Sequence, residues 1–203
     1  MTLEVKISKR LITYEYAFKF LRKRVEEVKK GKKKELLWIL EHPLTFTAGI
    51  RSDKKEVLDN KIKLVKTNRG GKITIHSPGQ KIIYFTLDLN KRKKDIKNLV
   101  NEIEKSIIEF LEIYKIKSHS DKKNIGIWVK DKKIAAIGIR VSNWIAYHGC
   151  SINIKNNLKY YKKIIPCGLD NNKITSVKNE LNKKITNVNT NLKKIFLDRF
   201  KNI

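Results

Sequence analysis

R-G-G-K-I-T-I-H-S-P-G-Q, residues Arg69 to Gln80, reads as a tight loop, a strand and a turn in immediate succession. Two glycines behind an arginine let the backbone approach its neighbour with no Cβ in the way. Lys72-Ile73-Thr74-Ile75-His76 alternates polar and apolar, the period of a strand with one buried face. Ser77-Pro78-Gly79 closes the run as a turn. A loop therefore feeds a strand that carries a histidine to its far end.

The flanks extend this pattern in both directions. Lys81 to Leu89 holds Ile82, Ile83, Tyr84, Phe85 and Leu87, a density suited to a central strand. Upstream, Leu36 to Leu40 reads as a buried strand, His42-Pro43 breaks it, and Thr45 to Gly49 and Ile62 to Lys66 read as further extended segments. Downstream, Ile125 to Lys130 and Lys133 to Val141 predict two strands joined at Asp131-Lys132, with another over Trp144 to Ile154. Helices flank the strands. Thr13 to Lys30 repeats Tyr14, Ala17, Leu21, Val25 and Val28 at spacings of three and four. Asp95 to Tyr114 carries a broad stripe of Ile96, Leu99, Val100, Ile103, Ile107, Phe110, Leu111 and Tyr114, with Asp95 placed to cap it. Thr190 to Ile203 puts Leu192, Ile195, Phe196 and Phe200 on one face. The class is α+β, with a mixed, mainly antiparallel sheet flanked by helices. No long linker or repeat divides the 203 residues, so a single catalytic domain over 1–203 is expected.

A formal charge of +27 invites a nucleic-acid reading. The excess is mostly lysine and runs through every segment beside abundant asparagine and isoleucine, which marks compositional bias. There is no arginine-rich arm, zinc-finger spacing or aromatic RNA-stacking signature. No apolar run approaches the roughly 18 residues that span a bilayer. No secretory h-region opens the chain, and the two cysteines form no C-x-x-C pair, so a cytoplasmic protein with free thiols is expected. The four histidines are scattered without metal-ligand spacing, so no metal site is expected, and no phosphate-binding P-loop is present.

Two residues carry candidate chemistry. Cys167 lies between Pro166 and Gly168 at the end of an apolar run, a sharp turn where a substrate could reach a thiol. A nucleophilic thiol needs a partner that favours the thiolate. Lys133 leads into the small, apolar strand Ile134-Ala135-Ala136-Ile137-Gly138 and is the best candidate. A downward shift of about two pH units requires roughly 2.7 kcal/mol, and an ammonium at about 4 Å supplies around 4 kcal/mol at an effective dielectric of 20. A Cys-His arrangement using His76 or His148 stays open. Cys150, in a strand-like alternation, reads as structural. His42 reads as a packing histidine and His119 as exposed in a polar loop.

Taken together, H-P-L-T-F-T-A-G, R-G-G-K-I-T-I-H-S-P-G-Q, G-I-W-V-x-x-K-K-I-A-A-I-G-I-R, Y-H-G-C-S-I-N-I and I-P-C-G-L, in this order between about Trp38 and Val177, resemble the lipoyl(octanoyl) transferases. The resemblance implies a fold like that of lipoate and biotin protein ligases. It implies Cys167 as the acyl-thioester nucleophile and Lys133 as the group that lowers its pKa and serves as acid and base. It places substrate contacts on Arg69, Gly70, Gly71, Lys72, Ile73, Thr74, Ile75 and His76, on Ala136, Ile137 and Gly138, and on Gly149, Cys150 and Ser151. Ile73, Ile75 and Ile137 are expected to line an acyl slot. The implied reaction moves an octanoyl group from octanoyl-acyl carrier protein to a lysine of lipoyl domains, those of 2-oxoacid dehydrogenase complexes and of the glycine cleavage H protein. It implies no cofactor, nucleic acid or membrane, and a monomer. Ser77 stands where that family has glycine. The rival readings are an ATP-dependent lipoate ligase, which does not need a cysteine at the P-C-G position, and a basic nucleic-acid-binding module.

Overall fold

The structure, a computed structural model, describes residues 3–165, 173–181 and 183–203. Ten strands and four α-helices form among the described residues: β1 Glu4–Ile7, α1 Tyr14–Lys29, β2 Leu36–Leu40, β3 Thr45–Ala48, β4 Leu64–Lys66, β5 Ile73–His76, β6 Gln80–Asp88, α2 Ile96–Glu112, β7 His119–Ser120, β8 Ile127–Val129, β9 Lys132–Ser142, β10 Ile145–Asn153, α3 Val177–Glu180 and α4 Val188–Arg199. The strands make a seven-stranded sheet in the order β1-β2-β6-β10-β9-β8-β7 and a three-stranded sheet in the order β4-β3-β5. Within the large sheet only β1 and β2 run parallel; in the small one β3 is parallel to β4 and antiparallel to β5. The α+β class with a mixed, mainly antiparallel arrangement holds, but in two sheets instead of one. Pro43, with no N–H to donate, stands between the strand that belongs to the large sheet and the strand that opens the small one.

Period two along the central strands gives the large sheet two different faces. Leu37, Ile39, Ile83, Phe85 and Leu87 point to one side and meet Leu99, Ile103, Ile107 and Phe110 of α2 and Leu192 and Phe196 of α4. Leu36, Trp38, Leu40, Ile82 and Tyr84 point to the other and meet Ala17 and Leu21 of α1. Both faces are covered, so β2 is an unbroken apolar run in which every residue is buried. The buried apolar stripe of α1 is the one its sequence spacing predicts, and Thr13 caps it by accepting from the Tyr16 N–H. In α2, Asp95 accepts from the Asn98 N–H as expected. Ile96, assigned to the buried stripe, is exposed, because it occupies the first helical position, ahead of the turn that meets the sheet.

Three other expectations change. The strand predicted over Ile62 to Lys66 begins at Leu64. His119 is exposed, but it sits in the edge strand β7, opposite Trp128, instead of in a loop. In β5 all four residues are buried, so it has two covered faces where the alternation suggested one. The small sheet's own core takes one of them.

Candidate active site

The Arg69-Gly70-Gly71 loop is pinned between the two sheets. Arg69 Nη2 donates to the carbonyl and hydroxyl oxygens of Thr47 at 2.9 Å each, and Nη1 donates to Gly70 O at 2.9 Å. Gly70 N–H reaches Ile139 O of β9 at 3.1 Å. The guanidinium is thus used to tie the loop to β3, and the loop in turn lies against β9. Behind it opens a cavity of about 460 Å³, open solvent at its mouth included, between β5 and the β6–β10–β9 part of the large sheet.

Nearly all the sequence-predicted contact residues converge on this cavity. Arg69 to Lys72, Thr74 and His76 line it from one side; Ala136 to Gly138 and Gly149 to Ser151 line it from the other. Ile73 and Ile75 do not. They alternate with Thr74 and His76 and therefore face away, into a separate core with Phe46, Ala48 and Tyr161. The acyl-slot role expected of these two isoleucines is corrected on that geometry, and Ile137 keeps a place in the wall. The cavity also takes Ile82, Tyr84 and His148, which sequence reading did not assign to substrate. Their period-two spacing put Ile82 and Tyr84 on one face of a strand without saying which face was open.

Gly149 explains how the cavity fits between two hydrogen-bonded strands. A Cβ on it would lie 1.9 Å from Ile83 O, so no side chain can occupy this position of β10 while β6 stays paired. His148 just before it adopts φ 67, which lets both Tyr147 and His148 point to the α1 side. Cys150 lines the cavity while packing with the α2 core, and burial holds its thiol well above the ordinary range. Its structural assignment from sequence agrees with that environment.

The histidines on the α1 side form a buried, uncharged cluster with tyrosines. His42 Nδ1–H donates to Ile12 O at 2.5 Å, so its Nε2 accepts from the Tyr84 hydroxyl at 3.0 Å. His76 Nδ1–H donates to Gln80 Oε1 at 2.8 Å. Asn68 Nδ2 donates to the Tyr147 hydroxyl, leaving its Oδ1 to accept from His148 Nε2–H at 2.8 Å. Burial lowers all three: His42 to about 4, His76 well below the usual value, and His148 to about 3, with Arg69 and Arg140 adding to the last. His42 is a packing histidine, as its position before Pro43 suggested.

Lys133 stands at the edge of the cavity. It is 6% exposed and lines two further openings, one larger and one smaller, that share Ala136 with this cavity. A bulge between β8 and β9 sets Ile127 opposite Ala135 but Trp128 opposite Lys133, re-aiming the lysine. Its backbone is held from both directions: Lys133 N–H donates to Lys173 O at 2.8 Å, and Thr175 N–H donates to Lys133 O at 2.9 Å. Thr175 O accepts from Asn153 Nδ2, and Asn153 Oδ1 accepts from Gln80 Nε2, so one polar chain runs from His76 to the segment beside Lys133. No acidic side chain pairs with Lys133 among the described residues. Cys167, with Pro166 and Gly168, lies outside the described residues.

Ser77 is accommodated without strain. The positive φ of its turn falls on Gly79, at 86°, and Ser77 needs none. Gly79 N–H is held by Glu41 Oε2 at 2.7 Å, and Gln80 N–H by Ser77 O at 3.1 Å.

Comparison with known proteins decides the family. Residues 13–201 match the lipoyl protein ligase A/B catalytic domain. The chain belongs to this family. Among curated relatives it is 44% identical over 177 residues to an octanoyltransferase of Wolbachia sp. subsp. Brugia malayi, covering 85% of this chain and 86% of the relative. An octanoyltransferase of Anaplasma phagocytophilum is 39% identical over 192 residues, 92% of each chain. The chain is therefore an enzyme of the transferase type. Among solved structures, a lipoate-protein ligase A bound with ATP matches with a TM-score of 0.76 at 14% identity, over 98% of this chain and 86% of that one. A bipartite lipoate protein ligase of Thermoplasma acidophilum, solved in a study of that ligase and its E2 lipoyl domain, matches at 0.74 and 13%, over 98% and 85%. At these identities the likeness is one of fold, and it agrees with the ligase-like fold that the motifs imply. No helix among the described residues is long and apolar enough to cross a membrane, and no three metal-ligating side chains come together among them.

Proposed function

We propose that this chain, acting as one catalytic domain, transfers an octanoyl group from octanoyl-acyl carrier protein to a lysine of lipoyl domains, without ATP. The observation that carries the reading is the cavity: its walls come from the three segments in which the transferase motifs place substrate, and Lys133 stands at its edge. Two further observations support it. Relatives at about 40% identity over most of the chain are octanoyltransferases. The described residues on either side of Cys167 are also tied to the site, Ile165 N–H to the carbonyl of Glu56, whose carboxylate pairs with the cavity residue Lys72, at 2.7 Å, and Lys173 O to Lys133 N–H at 2.8 Å.

In this reading the Cys167 thiolate, favoured by the Lys133 ammonium, attacks the thioester carbonyl. The carrier's sulfur leaves and takes the proton of Lys133, and the octanoyl group stays on Cys167 as a thioester. The amine of the acceptor lysine then attacks that carbonyl, loses a proton to the now neutral Lys133, and forms the amide as the Cys167 sulfur departs. Each half-reaction exchanges one acyl bond for another, so no energy input is needed. Backbone N–H groups of the glycine segments are suited to stabilise the oxyanion. Lipoyl domains of 2-oxoacid dehydrogenase complexes and of the H protein are the acceptors, and the monomeric enzyme works in the cytoplasm. The cationic surface steers acidic carriers toward the site.

Incubation with octanoyl-acyl carrier protein, followed by intact-mass measurement, tests the reading. The parent should gain one octanoyl group on Cys167 and pass it to a lipoyl domain without ATP, and Cys167→Ala should do neither. ATP-dependent ligation by Cys167→Ala at the parental rate would assign the chain to the ligases instead.

A further inference from the structure

Lys133 is a long, flexible side chain, and what holds its ammonium in place is built from two residues of the preceding hairpin arm. Trp128 lies directly opposite it across the β8–β9 pair, with the ammonium over the indole at 5.3 Å from the ring centroid. The indole is itself fixed, donating Nε1–H to Asn124 O at 3.1 Å, and a cation over a tryptophan face is attracted by the ring quadrupole. Gly126, two residues earlier, has φ 143. A Cβ there would lie 2.3 Å from Lys133 Cε, 3.1 Å from its Nζ and 2.6 Å from Ala135 O. The last methylene of the lysine occupies the space that any other residue at 126 would fill.

Resting on the assignment of Lys133 as acid and base, we infer that Gly126 and Trp128 form the seat that positions the Lys133 ammonium for the reaction. Neither touches the reacting atoms. The indole draws the ammonium to one side, and the missing Cβ leaves room for the chain end on the other. With no acidic partner among the described residues, the lysine keeps its charge available for the thiolate, where an ion pair would divert it.

The test reads the thiolate itself. The rate of alkylation of Cys167 by iodoacetamide, followed against pH by peptide mapping, gives the midpoint of its ionisation; Cys150 is buried and serves as the internal reference. Gly126→Ala and Trp128→Leu should each raise that midpoint by about one pH unit, a roughly tenfold loss of thiolate below it. Both should lower kcat while leaving KM for the acyl carrier near the parental value. In a Lys133→Met background, where the midpoint is already raised, Gly126→Ala should add no further shift. A purely structural glycine would lower the melting temperature and leave the midpoint alone, and that result overturns the inference. If Lys133→Met raises the midpoint but neither seat variant does, the seat is wrong and the base assignment stands. If Lys133→Met leaves it unmoved, the base assignment fails and takes the seat with it. Should Gly126→Ala not fold, Trp128→Leu decides: a raised midpoint supports the seat, and a parental one overturns it.

Discussion

The two faces of the large sheet use the same strands for opposite purposes. On the α2–α4 side, Leu37, Ile39, Ile83, Phe85 and Leu87 meet a helix stripe that excludes water completely. On the α1 side the apolar residues give way, strand by strand, to His148, Ser151 and the glycines around a cavity that the small sheet lines with Thr74 and His76. Alternation makes this possible: each inward residue on one face is matched by a neighbour on the other, so one strand contributes to both. Placing the apolar core behind the site lets the front carry neutral histidines, a lysine and open space, features that cost stability, while the back supplies it.

That division makes separable expectations. Lys133→Met on the front should cut octanoyl transfer about 10²- to 10⁴-fold, the usual worth of a positioned acid–base group, with little change in melting temperature. A parallel loss of stability would merge the two faces into one. Phe110→Ala on the back should cost about 3–5 kcal/mol in urea unfolding while the folded enzyme keeps its kcat and KM, and a matching loss of activity would break the division from the other side.

Acid should act on the front first. His42, His76 and His148 have folded pKa values below the unfolded 6.5, so the unfolded chain binds more protons as pH falls. Their contribution is intact above about 6.5 and is lost toward about 4 for His42 and about 3 for His148. Each histidine steepens the fall by up to about 1.4 kcal/mol per pH unit. His42→Asn should flatten that slope as followed by unfolding at pH 5 to 7; an unchanged slope would mean that other groups set the acid limit. The smallest effect belongs to Ser77→Gly, which should lower stability by about 0.5–1 kcal/mol, since no positive φ is needed there and glycine adds only unfolded-state freedom. A gain in stability would show that the turn prefers glycine after all.

Much of this was legible before the fold was known, and the illegible part has one physical source. Helix stripes follow from a period of 3.6 and the α2 cap from a local side-chain hydrogen bond, so Asp95 and the buried face of α1 are read directly. The motif order, through the family it resembles, marked most of the segments that surround the cavity. Periodicity tells which residues share a face but not what that face meets. It could not say that Ile73 and Ile75 turn into the small sheet's core while Thr74 and His76 turn into the cavity, nor that Ile82, Tyr84 and His148 join them there. Residues 126 and 133 are seven positions apart, and nothing in either run signals that the glycine makes room for the lysine. The sequence alone determined the elements, the family and the candidates for its chemistry. Tertiary structure decided which strand faces are open, and how a bulge, an indole and an absent Cβ aim one lysine, because those depend on register between strands.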